Sequence, residues 1–168
     1  NNGTFVFDGI NDYIDFGDTY NDVFVGLNAK FTVSAWVNPN VSNMTNNYIV
    51  SKWANGAGEW ILRVGDATGH SRACFYWSTP SNSAWINQNC TTTITDTTKW
   101  YNLVGVYDIS LGAVNSMKIY VDGIDVSTYN QNNNGVPTAI ENTTASLLIG
   151  NRISLDRAFN GSIANVMI

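Results

Sequence analysis

The sequence predicts an all-β fold, a two-sheet antiparallel β-sandwich (jelly roll) of about twelve strands in a single domain over residues 1–168. Three observations carry this. Apolar and polar residues alternate with period two along most of the chain, turn residues interrupt that alternation at short intervals, and no segment sustains a 3.6-residue period. Composition agrees: Asn, Ser and Thr supply the polarity, and these residues favour turns and strands over helices.

The elements follow in order. Thr4–Phe7 and Tyr13–Phe16 flank the turn signal Asp8-Gly9, and Gly17-Asp18 closes the second run. Phe31, Val33, Ala35 and Val37 alternate with Thr32, Ser34, Trp36 and Asn38, the pattern of a half-buried strand. Tyr48–Trp53 and Glu59–Val64 meet at Asn55-Gly56, and Gly65-Asp66 follows. Cys74–Trp77 and Ala84–Ile86 read as a hairpin around Pro80–Ser83. Trp100–Tyr107 precedes Met117–Val121, and Asp122-Gly123 turns the chain into Ile124–Val126, because Gly accepts the positive φ of a type I′ turn. Ser146–Ile149 and Ser162–Met167 complete the set, with Asn134-Gly135 and Asn160-Gly161 as turn signals. Asn130–Asn134 reads as a polar loop, and short helical turns fit Asp18–Leu27 and Ser110–Val114.

Charge narrows the function classes. Charged residues make up 12% of the chain, against about 25% in a typical domain, and the net charge is −5. The eight basic residues are scattered from Lys30 to Arg157, so no basic stripe exists for nucleic acid. No apolar run approaches the roughly 20 residues of a membrane helix, so no membrane insertion is expected. The chain opens at Asn1-Asn2-Gly3 and stops at Met167-Ile168 inside an apolar run, and reads as a fragment or processed piece of a larger protein.

Cys74 and Cys90 are equidistant from Asn82. A hairpin centred there sets them opposite each other at disulfide range, and such a bridge implies an oxidising, extracellular compartment. Two unrelated buried thiols are the alternative. Six Asn-x-Ser/Thr sequons, at Asn2, Asn40, Asn43, Asn89, Asn142 and Asn160, are compatible with secretion, but so Asn-rich a chain produces most of them by chance.

Phe7-Asp8-Gly9-Ile10-Asn11-Asp12-Tyr13-Ile14, then Phe31–Val37, then Ile49-Val50-Ser51-Lys52-Trp53 occur in an order that resembles the laminin-G-like, concanavalin A-like lectin/glucanase jelly rolls. Trp100–Asp108 resembles that family's "W-x-x-x-x-x-x-Y-D" strand, and Tyr120-Val121-Asp122-Gly123 its "Y-V-D-G" hairpin. Leu148-Ile149-Gly150 and Phe159-Asn160-Gly161-Ser162-Ile163 are similar to its closing strands. The chain departs from the family pattern at Ala164-Asn165, where acidic residues are frequent. By resemblance, a structural calcium would sit near Asp8 and Asp12, the departure at Ala164-Asn165 weakening it.

Catalysis of glycoside hydrolysis needs two converging carboxylates, and the only glutamates are Glu59 and Glu141, far apart in sequence. Glu59 reads as a solvated strand end, and His70, the single histidine, as a loop-tip residue. The chain is therefore expected to be non-catalytic. Sugar recognition needs rings that stack on a pyranose face and planar polar groups for its hydroxyls. Trp53, Arg63, Tyr76, Trp77 and Trp85 are the candidate ligand-binding set, with Asn87 and Gln88 among them, while Trp36 and Trp100 read as core. The expected function is an extracellular or cell-surface carbohydrate-binding or adhesive module whose partner is a glycan or surface protein. The alternative is a structural, protein–protein interaction module of a surface filament, pilus or surface layer.

Overall fold

The computed structural model describes residues 3–21, 29–42, 44–54, 57–66, 69–78, 85–111, 115–133 and 142–168, with backbone alone for 57–58, 85–91 and 129–133. Among the described residues thirteen strands fall into two antiparallel sheets. The first contains, in spatial order, β1 (Thr4–Asp8), β13 (Asn160–Met167), β3 (Lys30–Pro39), β8 (Tyr101–Asp108), β9 (Met117–Val121) and β10 (Ile124–Asp125). The second contains β11 (Ser127–Asn133), β7 (Trp85–Thr93), β6 (Arg72–Ser78), β5 (Ala57–Val64), β4 (Asn47–Ala54), β12 (Leu147–Ile149) and β2 (Ile14–Asp15).

Alternation decides which side of each strand meets the other sheet. In β3 the residues Phe31, Val33, Ala35 and Val37 are buried, whereas Thr32 and Trp36 are exposed. In β8 Tyr101, Leu103 and Tyr107 are buried, as are Met117, Ile119 and Val121 in β9. Facing them from the second sheet are Val50, Trp60, Leu62, Val64, Ala73, Phe75 and Trp77, in one continuous core. Phe31 is its aromatic hub, with ring centroids 5.4 Å from Trp60, 5.6 Å from Tyr107 and 5.8 Å from Phe75. Such offset and edge contacts suit the ring quadrupoles.

The predicted type I′ turn is present: Asp122 and Gly123 both take positive φ, 51° and 80°, and join β9 to β10. Other expectations need correction. Residues Ser127–Asn133 form β11, the edge strand beside β7, so much of the presumed polar loop at Asn130–Asn134 is strand. Asn160-Gly161 lies inside β13 and not in a turn; Gly161 is needed there because a side chain would strike the Asn38 carbonyl. The helical turn foreseen from Ser110 is a 3-10 turn at Ile109–Leu111, and most of Asp18–Leu27 lies outside the described residues. Asn55-Gly56, Asn134-Gly135 and Glu141 lie outside them too.

The hairpin of β6 and β7 is shifted by one residue from the centre at Asn82. Trp77 pairs with Ile86 and Cys74 with Asn89, while Cys90 pairs across its other edge with Ser127. Cys74 is buried, and the side chain of Cys90 is outside the described set. The register thus withdraws the geometric ground for a Cys74–Cys90 bridge. Among the described residues no helix is long and apolar enough to cross a membrane.

Candidate functional site

The seven-stranded sheet turns its second face away from the core, and a separate aromatic cluster lies on it. Along β5, Trp60, Leu62 and Val64 point into the core, so alternation sends Ile61 and Arg63 the other way. The same parity places Tyr76 of β6 on this face, opposite Ile61, and Tyr48 of β4 opposite Arg63. Tyr48, Trp53 and Ile61 are buried together, with the half-buried Tyr76 packed against them. Trp53 meets Tyr76 at 5.1 Å between ring centroids and an interplanar angle of 71°.

Three of the five candidate ligand-binding residues, Trp53, Arg63 and Tyr76, therefore converge. Arg63 lies over the Tyr76 ring, 5.9 Å from guanidinium carbon to centroid, and its Nη1 donates to Asn46 Oδ1. Asn46 holds a left-handed φ of 53°, a conformation Asn tolerates better than most residues. Burial pushes the Tyr76 phenol up to about 12, against the opposing pull of a Ser78 hydrogen bond and the Arg63 charge. The phenol is thus neutral and able to donate a hydrogen bond at any physiological pH. Tyr48 is covered by the 151–159 segment: its N–H donates to the Arg157 carbonyl, and the Arg152 guanidinium lies 5.8 Å from its ring centre.

The other two candidates part from this group. Trp77 is 1% exposed and stacks on Tyr107 in the intersheet core at 6.1 Å, so it packs the sandwich and does not face a ligand. Trp85 pairs with Ser78 at the start of β7, and its side chain lies outside the described residues, as do those of Asn87 and Gln88.

Sequence reasoning also missed residues. Trp36 and Trp100, read as core, are 40% and 39% exposed. Trp36 faces Asn102 across the outer surface of the six-stranded sheet. Glu59, read as a solvated strand end, is 1% exposed and ion-paired at 3.0 Å to Lys52, which is fully buried. The Lys52 ammonium also donates to Asp18 Oδ1 and the Ala145 carbonyl, both at 2.9 Å, so its three protons have three acceptors. Its bond to Asp18 holds that carboxyl below the usual carboxylate range. Thr143 gives Glu59 Oε1 both its N–H, at 3.0 Å, and its hydroxyl, at 2.7 Å. The lysine and glutamate fasten the segment leading into β12 to the sheet. His70 is exposed, as expected, with Nδ1 3.4 Å from Asp66.

The calcium expectation meets another use of its ligands. Asp8 Oδ1 accepts the Ile10 N–H at 2.7 Å and the Asn11 N–H, while Asp12 Oδ2 accepts the Asp8 N–H at 2.9 Å. Both carboxylates lock the turn after β1. Among the described residues no three acidic, His or Cys side chains gather in one place.

Two antiparallel sheets sharing one core define an all-β sandwich of the jelly-roll class. The chain belongs to the concanavalin A-like lectin/glucanases superfamily, which it matches over residues 8–168. No curated protein matches it at a significant level. Among 26 matching solved chains is one of botulinum neurotoxin type C, a toxin that depends on interaction with two ganglioside molecules to enter cells. The TM-score is 0.52 at 16% identity, over 82% of this chain and 31% of that one. This chain spans about a third of that structure's length, and the likeness is one of fold.

Proposed function

We propose that this chain is a non-catalytic carbohydrate-binding module of a secreted or surface-displayed protein, with its ligand face on the outer side of the seven-stranded sheet. One observation carries the reading: Trp53 and Arg63 are both buried beside Tyr76, yet the Trp53 indole Nε1 and the Arg63 Nε are shut away from water with no hydrogen-bond acceptor among the described residues. Buried donors without partners are costly. Trp60 and Trp77 carry equally unmatched Nε1 groups in the intersheet core, whereas those of Trp53 and Arg63 lie with the aromatic cluster on the outer face. Tyr76, half-buried, supplies the ring a pyranose reaches, and Trp53 holds that ring from the side. The family and the ganglioside-dependent toxin of like fold support the sugar class of ligand.

The test is a glycan array on the whole chain, in millimolar calcium and in EDTA, repeated with Tyr76→Ala, Trp36→Ala and Trp100→Ala. Binding that survives chelation, falls at least about tenfold in Y76A and persists in the other two is expected, because a sugar–ring stack is lost only in the first. Loss confined to W36A or W100A moves the ligand to the six-stranded sheet. Loss in EDTA restores calcium at Asp8 and Asp12. A blank array in both conditions overturns the sugar reading in favour of a protein-binding or assembly role.

A further inference from the structure

We infer that the ligand of this face is an acidic glycan, held through its carboxylate or sulfate by Arg63; the inference rests on the carbohydrate reading above. Arg63 is nine-tenths buried, and a guanidinium stays charged wherever it is placed. Burying a charge without a counter-charge is among the most unfavourable arrangements in a fold. Yet no carboxylate stands within ion-pair distance of Arg63 among the described residues. All thirteen acidic residues except Asp22 and Glu141 fall within that set. Glu59, the acid on the same strand, is four residues away and engaged by Lys52 and Thr143. The cross-strand neighbours of Arg63 are Tyr48 and Cys74, and neither supplies a negative charge.

The contacts that Arg63 does make leave it incomplete. Its Nη1 is satisfied by the Asn46 amide oxygen, and its π-face by Tyr76. Its Nε has no acceptor, and neither has the Trp53 Nε1 in the same cluster. Both groups only donate. The Arg63 cluster thus contains two unmatched donors, Arg63 Nε and Trp53 Nε1. A neutral sugar brings hydroxyls that donate as readily as they accept. An oxyanion brings acceptors and the missing charge together, and planar guanidinium prefers it to any neutral group. The net charge of −5 opposes anions at long range, so the attraction must be local to this site.

The experiment compares glycans that differ only in the acid group, by calorimetry on the whole chain: 3′-sialyllactose against lactose, a glucuronate-terminated disaccharide against its glucose counterpart, and 6-sulfogalactose against galactose. The acidic member of at least one pair should bind about tenfold or more tighter, as loss of a charge-assisted hydrogen bond predicts, and raised salt should shrink the gap. Which pairs show it separates carboxylate from sulfate. Arg63→Gln should erase the difference between the acidic and neutral members of the pair, with Arg63→Lys between the two. Equal affinity within every pair, with neutral sugars still bound and Y76A still defective, overturns the acidic ligand but leaves the carbohydrate reading standing. No binding to any member overturns both. A further arm addresses an internal counter-ion: if Glu141→Gln and Arg63→Gln each destabilise the fold and the double variant costs no more than one, Glu141 is the partner and the inference fails. Should R63Q not fold, the paired-glycan comparison on the unaltered protein decides.

Discussion

Lys52 places a fully buried ammonium on an interior strand of the seven-stranded sheet, an arrangement that holds only because every proton finds an acceptor. Removing one partner of such a group leaves the other charge stranded, and costs about 3–5 kcal/mol in buried pairs. Glu59→Gln should therefore lower the unfolding free energy by that order in urea titrations. Replacing both residues, as in Lys52→Met with Glu59→Leu, should recover most of the loss, since apolar pairs often substitute for buried ion pairs without penalty. If E59Q unfolds at the same urea concentration as the parent, the pair is solvated and the closed arrangement around Thr143 is not its solution state. Trp36 teaches a different lesson at this scale. Its place among Thr32, Ser34 and Asn38 marks it as outward-facing by period, and only its size argued for the core. The period was right, and the ring is 40% exposed.

Strands were legible where one face is apolar. In β8 and β9 burial alternates strictly and in β3 nearly so, with Ser34 buried as well, and the apolar residues read as one face of β3 and β9 are buried. β11 escaped because Ser-Thr-Tyr-Asn-Gln-Asn-Asn has no apolar period; it is a strand through backbone pairing with β7. The candidate site was legible only in part for a related reason. Composition marked Trp53, Arg63, Tyr76 and Trp77, but the face each one takes depends on parity within its strand. The two aromatic neighbours Tyr76 and Trp77 point to opposite sides of β6. Nor does Glu59 show its partner in sequence, because Lys52 reaches it only across the β4–β5 hairpin. Close approach of the sheets gives a prediction for β8. A methyl group at Gly105 would lie 2.7 Å from the Phe75 ring, with the neighbouring core leaving the ring little room to retreat. Gly105→Ala should destabilise by about 1–3 kcal/mol, the usual cost of overpacking. The pair G105A and Phe75→Leu should be less than additive, because the smaller side chain relieves the clash. Additive losses in thermal melts would mean that Gly105 matters for some reason other than this contact.

Across the whole molecule, the ends of the chain meet. β1 pairs with β13, and β13 in turn lies between β1 and β3, so the last strand in sequence is interior in the six-stranded sheet while the first is its edge. Both contribute to the core, β1 through Phe7 and β13 through Ile163. Loss of the edge removes one ladder and one large buried side chain. Loss of β13 removes two ladders, strands β1 without a partner, opens the edge of β3 and uncovers the core beside Val37. An exposed interior edge of that kind invites pairing with other chains. Deletion of residues 3–8 should therefore leave a cooperative thermal transition at lower temperature, whereas deletion of 160–168 should abolish it and bring aggregation. Circular dichroism melts with light scattering distinguish the two. The reverse order of damage would mean that the sandwich is held by its edges and not by β13, contrary to the order of strands in the sheet. Because the β1–β13 contact joins residues more than a hundred and fifty positions apart, refolding should also be slow for the chain's size, in the range of milliseconds to seconds that long-range β pairing sets.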